Sequence, residues 1–205
     1  MLVETKKELL VIPQLFSLNN KEKEICVSLA RESISAYLQT GTYLEACTEN
    51  YPKKLLEKKA CFVTLMKNGQ LRGCIGRLQA FQPLYLDIIQ NAVAAAIEDP
   101  RFSPVGEAEL PLIKIEVSVL TNPIPLPYKN AQDLIKKIRP KKDGLIIKKG
   151  SYQATFLPSV WEELPKKEDF LSQLCLKAGL SENEWTLGCS IKVERYEAIK
   201  AVEGK

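Results

Sequence analysis

The dipeptide Asn68-Gly69 lies between CFVTLMK (residues 61–67) and QLRGCI (residues 70–75), two runs with the composition of β-strands. A two-residue hairpin turn needs positive φ at both central positions, and Asn-Gly is the pair that supplies it most readily. This feature commits the middle of the chain to antiparallel pairing. A fold built only from parallel βαβ units is thereby excluded.

The flanking segments fit around such a hairpin. Residues 19–39 carry Ile25, Leu29, Ile34, Tyr37 and Leu38 at helical spacing, with Asn19 as cap and Gly41 as stop. Residues 42–59 read as a polar connector with one short helical turn, and Lys53, Lys54, Lys58 and Lys59 as a solvated charge run. Pro83 opens a helix whose small-residue face is Leu84, Ile88, Ala92, Ala95 and Ala96, ended by Asp99-Pro100. IKIEVSVL (113–120) alternates as a strand with one buried face. TNPIPLP is a stiff extended connector. A short helix over 133–139, a second hairpin around Gly150-Ser151, and a helix over 168–178 with Phe170, Leu171, Leu174 and Cys175 inward follow. One last strand is expected over 191–199, with a break near Arg195. Phe156 and Trp161 read as core anchors. The expected class is α+β, largely antiparallel sheet flanked by helices. The order helix, hairpin, helix, strand occurs twice, which is compatible with two lobes or an internal duplication.

Composition narrows the function more than the fold. The chain has 205 residues and no histidine, so a Ser-His-Asp or Cys-His site and any imidazole metal site are excluded. With 29 basic and 25 acidic residues the net charge is only +4, which does not call for nucleic acid or an anionic membrane. None of the six cysteines forms a CxxC pair, so reduced thiols and no structural zinc are expected. The N-terminal MLVETKKELLVIPQLF lacks a signal-like apolar region, and no apolar run is long enough to span a bilayer; a cytoplasmic location is expected.

LRGCIGR (71–77) is the stretch where chemistry concentrates. In a regular strand Arg72 and Cys74 share a face, with Leu71, Gly73 and Ile75 on the other. A guanidinium beside a thiol favours the thiolate form, and Gly73 and Gly76 allow a ligand or another backbone to approach. The sharp reading is a thiolate or anion site, with Arg77 adding positive charge. The plainer reading is a thiol packed under a helix, a surface arginine and a bulge. Three further places can join the site. Asp99 and Arg101 of EDPRF follow a helix end, where a local ion pair is the alternative. Glu116 interrupts an apolar strand and is the best carboxylate to act as base or to pair Arg72. Thr155 offers a hydroxyl.

Taken together, FVTLMKNGQLRGCIG, NAVAAAIEDPRF, IKIEVSVL, IRPKKDGLIIKKGSYQATFLPSVWEELP and FLSQLCLKAGL, in this order, resemble the AMMECR domain family. The resemblance is strongest over residues 61–180 and is compatible with one domain over 1–205, with or without two sub-lobes. It implies an α+β fold and places the family hallmark LRGCIG at Leu71–Gly76, but brings no established reaction and no known cofactor. Prokaryotic relatives belong to the AmmeMemoRadiSam system, which implies a Memo-like protein and a radical SAM protein as partners. Arg77 stands where relatives often carry a small polar residue. Two functions remain open. One is an enzyme or enzyme component using Cys74 as nucleophile or thiol ligand, with Arg72 gripping a small anionic ligand and Glu116 or Asp99 moving protons. The other is a non-catalytic module that docks a partner through the LRGCIG face.

Overall fold

The computed structural model describes residues 16–204; the expectation for the N-terminal segment falls mostly outside that range. The first helix, α1 (Asn20–Thr40), begins with a reciprocal cap. Asn19 Oδ1 accepts the Glu22 N–H at 2.9 Å, while Glu22 Oε2 accepts the Asn19 N–H at 2.7 Å. It stops at Gly41, whose φ of 72° is the left-handed conformation that glycine adopts without strain. Its buried face is Cys26, Leu29, Ala30, Ser33 and Ile34, whereas Ile25 and Leu38 are only partly covered.

A short helix α2 (Lys53–Leu56) leads to the hairpin β1 (Cys61–Lys67) and β2 (Gln70–Gly76), then α3 (Leu84–Ile97) and β3 (Ile113–Leu120). The second half repeats the pattern: β4 (Ile124–Pro125), α4 (Ala131–Lys137), hairpin β5 (Gly144–Lys149) and β6 (Tyr152–Phe156), α5 (Lys167–Lys177), β7 (Lys192–Tyr196) and β8 (Ala198–Val202). TNPIPLP is therefore not wholly a connector, since it carries a two-residue strand. Lys59 also departs from the solvated run: it is buried, donates to Asn122 Oδ1 at 3.1 Å and lies over the Phe16 ring.

The strands form two antiparallel sheets with orders β2-β1-β3-β8 and β4-β7-β5-β6. Read from the hairpin edge, each runs outer hairpin strand, inner hairpin strand, third strand, short fourth strand. The fourth strand is exchanged. The chain leaves β3 of the first sheet to supply β4 of the second, and leaves β7 of the second to supply β8 of the first. What the sequence reads as one last strand with a break is thus two strands in different sheets, divided at Glu197. The repeated element order is a structural duplication with reciprocal strand exchange.

Each sheet has its own core on its helical face. In the first, α3 packs on β1 and β2 and α1 beside it on β3 and β8, burying Val63, Leu65, Ile88, Ala92, Ile115 and Val117. In the second, Trp161 stacks on Phe170 at 3.8 Å between centroids, and Leu145, Ile147, Leu171 and Leu174 complete the core. The faces turned away from the helices meet through a smaller cluster of Ala60, Phe62, Leu120, Ile146 and Tyr196. No helix among the described residues is long and apolar enough to cross a membrane.

Candidate functional site

β2 is the edge strand of the first sheet, and its register is broken. Met66 pairs with Leu71 and Leu65 with Gly73, which leaves Arg72 as the extra residue of a bulge. The i, i+2 relationship that would place Arg72 on the Cys74 face therefore does not hold. The Arg72 guanidinium makes a fork with Glu109 instead, Nε to Oε1 at 2.8 Å and Nη2 to Oε2 at 3.0 Å. Lys67 joins the same carboxylate at 2.9 Å. Arg72 hydrogen bonding, followed by that of Lys67, pulls the Glu109 carboxyl down to about 2. Glu116 pairs not with Arg72 but with Lys200, at 3.3 Å, and accepts from the Ser118 hydroxyl at 3.1 Å.

Beyond the bulge the strand is regular, and Cys74 turns its thiol to the face without helices. Cys74 pairs with Thr64, and Thr64 with Glu116, so the three form one row across β2, β1 and β3. The Cys74 N–H points away from β1, which makes Cys74–Thr64 a non-hydrogen-bonded pair with its side chains close together. Accordingly the thiol Sγ lies 3.3 Å from Thr64 Oγ1. Phe62 lies one row along on the same face and belongs to the contact between the sheets.

Asp99, buried, and Arg101, half exposed, lie along the unpaired edge of β2 beside Cys74. Asp99 Oδ2 accepts the Cys74 N–H at 2.8 Å, and Arg101 Nη2 donates to the Cys74 carbonyl at 3.3 Å. Arg101 also closes a fork on Asp99 at 2.7 and 2.9 Å. This pairing with Arg101, reinforced by the backbone donors, holds the Asp99 carboxyl far below the usual carboxylate range. Both residues thus act as a side-chain substitute for a neighbouring strand. The Phe102 ring lies near both guanidinium groups, 5.9 Å from Arg72 and 5.5 Å from Arg101.

The two glycines are packing positions. A Cβ on Gly73 would stand 2.1 Å from the Ala95 carbonyl oxygen, so α3 itself fills the space. At Gly76 it would meet the Phe62 ring at 2.4 Å and the Cys61 carbonyl oxygen at 2.5 Å. Of the two approaches the sequence allows, ligand or backbone, Gly73 serves the second. Arg77 is drawn to the buried Asp87, 3.4 Å away, and lies over Phe81.

Thr155 is in the other sheet. Its hydroxyl donates to the Leu145 carbonyl at 2.8 Å and lies 2.8 Å from the Tyr196 hydroxyl. Counting back from each hairpin turn, Thr155–Ile146–Glu194 is the counterpart of Cys74–Thr64–Glu116. Asp99, Arg101 and Thr64 all contact Cys74, and Glu116 ends the same row two strands away; Arg72, Arg77 and Thr155 are engaged elsewhere. Sequence reasoning missed Thr64 and Glu109. Counting from Asn68-Gly69 sets Thr64 against Gly73, and only the bulge moves it opposite Cys74.

Two four-stranded antiparallel sheets with exchanged fourth strands and an LRGCIG edge strand define an α+β protein of duplicated design. The chain matches the AMMECR1 family model over residues 27–201 and belongs to that family. It is 39% identical over 197 residues to a protein of Thermofilum pendens, covering 91% of this chain and 92% of the other. A protein of Methanopyrus kandleri is 40% identical over 185 residues, covering 86% and 84%. The crystal structure of an uncharacterized protein from Pyrococcus horikoshii is similar with a TM-score of 0.80 and 37% identity, over 90% of this chain and 93% of that one.

Proposed function

We propose that the row Cys74–Thr64–Glu116 is a small-molecule site of an enzyme or enzyme component, with the Cys74 thiol as nucleophile or thiol ligand. The observation that carries this reading is the clamp on Cys74. Its backbone N–H and carbonyl are both held by Asp99 and Arg101, while its side chain faces a polar row. A thiol fixed at both backbone groups is pre-positioned for a reacting partner. Thr64 is within reach of the sulfur as donor or acceptor, and Glu116 is the carboxylate for proton transfer. Arg101, half exposed, replaces Arg72 as the cation facing an anionic ligand. Asp99, ionised and fully engaged, is a positioning residue rather than a proton carrier.

Paired alkylation with iodoacetate and iodoacetamide tests the reading, because Cys47 and Cys189 are exposed and serve as controls in the same chain. Mass spectrometry should show an iodoacetate-to-iodoacetamide ratio at Cys74 severalfold above that at either control. An equal ratio at all three removes the anion site.

A docking role for the same edge is favoured by Leu71 and Phe81, both exposed apolar residues flanking the stretch. On that reading the partner is a Memo-like or radical SAM protein. Leu71→Asp then abolishes capture of the purified partner, whereas Cys74→Ser leaves it intact.

A further inference from the structure

A pocket lies beside the point where the chain crosses from β7 to β8. Lys141, Lys142, Ser159, Glu162, Glu197 and Lys200 line its volume of about 320 Å³, together with Pro158 and Ala198. The lining carries three lysines and two glutamates. Of these, Glu197 is already covered by Arg139 at 2.9 Å and Lys142 at 3.6 Å.

The cations come from two rigid elements. Lys141 and Lys142 sit in a tight turn pinned by buried Asp143, which accepts the Arg139 N–H at 2.9 Å. Lys141 takes a φ of 64°, a conformation uncommon for a side chain of its kind. Lys200 projects from β8 and, among the described residues, is paired with Glu116 at 3.3 Å, longer than a good charge-assisted bond.

We propose that this pocket binds the phosphate of a small phosphorylated molecule. Lysines act as point charges with several donors each, which suits a dianionic tetrahedral oxyanion approached from two sides. Ser159 adds a neutral donor, and the Pro158 and Ala198 surfaces leave room for an organic portion. Lys200 links this pocket to the Cys74 row. When it turns to phosphate it releases Glu116, and by reciprocity the loss of Glu116 strengthens phosphate binding.

Calorimetric titration at low ionic strength with inorganic phosphate and with ribose 5-phosphate decides the matter. The ester should bind more tightly than the ion. Lys141→Gln and Lys200→Gln should each weaken it by about tenfold, the loss of one charge-assisted contact, with melting temperature unchanged because both side chains are exposed. Glu116→Gln should tighten it. Cys74→Ser should leave it unaltered, which separates this pocket from the proposed chemistry at Cys74. Absence of binding to about 10 mM ester, a millimolar affinity limit, overturns the proposal. So does binding that neither lysine variant weakens, or binding of the ion in preference to the ester.

Discussion

The carboxylate of Asp99 holds the backbone N–H of Cys74 at 2.8 Å, from a loop twenty-five residues further along the chain. A sheet edge normally presents unpaired donors and acceptors that invite further strands. Here the Asp99–Arg101 pair answers both backbone groups of one residue, and so protects the edge and fixes the thiol together.

Asp99→Ala should therefore cost about 2–3 kcal/mol, since it leaves a donor and a guanidinium without their partner. Denaturant unfolding measures the loss. Hydrogen exchange should show the Cys74 amide opening faster while the amides of Val63 and Val117 in the sheet interior keep their protection. Unchanged exchange at Cys74 sinks the clamp.

The two glycines should respond differently to a methyl group. Gly73→Ala drives a Cβ into the α3 backbone, which cannot yield locally, and should cost at least about 3 kcal/mol, at the upper end for overpacking. Gly76→Ala meets a side chain as well as backbone. Adding Phe62→Ala should then cost less in the Gly76→Ala background than in the wild type. Strict additivity of the pair in a double-mutant cycle refutes the contact.

Glu109 supplies a pH dependence of known sign. Its folded-state value of about 2 lies below the ordinary glutamate value of 4.5, so its contribution is present above 4.5 and fades as pH falls toward 2. The stability difference between wild type and Glu109→Gln should shrink across that window. Arg72→Lys, which keeps charge but loses the fork, should reduce the difference without removing it. A difference that is flat between pH 6 and pH 2 contradicts the assignment.

The buried thiols should stay silent. Burial, then Glu22, pushes Cys26 up to about 12, and burial with the Asp87 charge pushes Cys61 up as well. Brief alkylation of native protein at neutral pH should leave both unmodified, and unfolding should expose them together. Early labelling of Cys61 shows that α3 does not cover it.

Local rules made much of this fold legible. The Asn68-Gly69 turn, the Asn19 and Gly41 caps and the alternation of 113–120 each decide their own element, and the structure follows them closely. The alternation shows a break near Arg195 but not its meaning, because a strand that changes sheets looks locally like one that bends. The site was half legible. Cys74, Asp99 and Arg101 are neighbours in space, whereas Glu116 lies two strands away in the Cys74 row. Arg72 was misplaced because a bulge has no reliable signal in sequence, and one extra residue turns a side chain to another partner. Glu109, thirty-seven residues away, is joined to Arg72 only by tertiary packing.

The exchange of fourth strands has a consequence for how the molecule is made. The first sheet is closed by Ala198–Val202, the last of the eight strands among the described residues. As the polypeptide leaves the ribosome, α1 to β3 can collapse early, yet the free edge of β3 stays uncovered until every strand of the second sheet has been synthesised. Neither half can be released as a finished unit, and a chain halted after Tyr196 would carry an open, apolar strand in search of a mate.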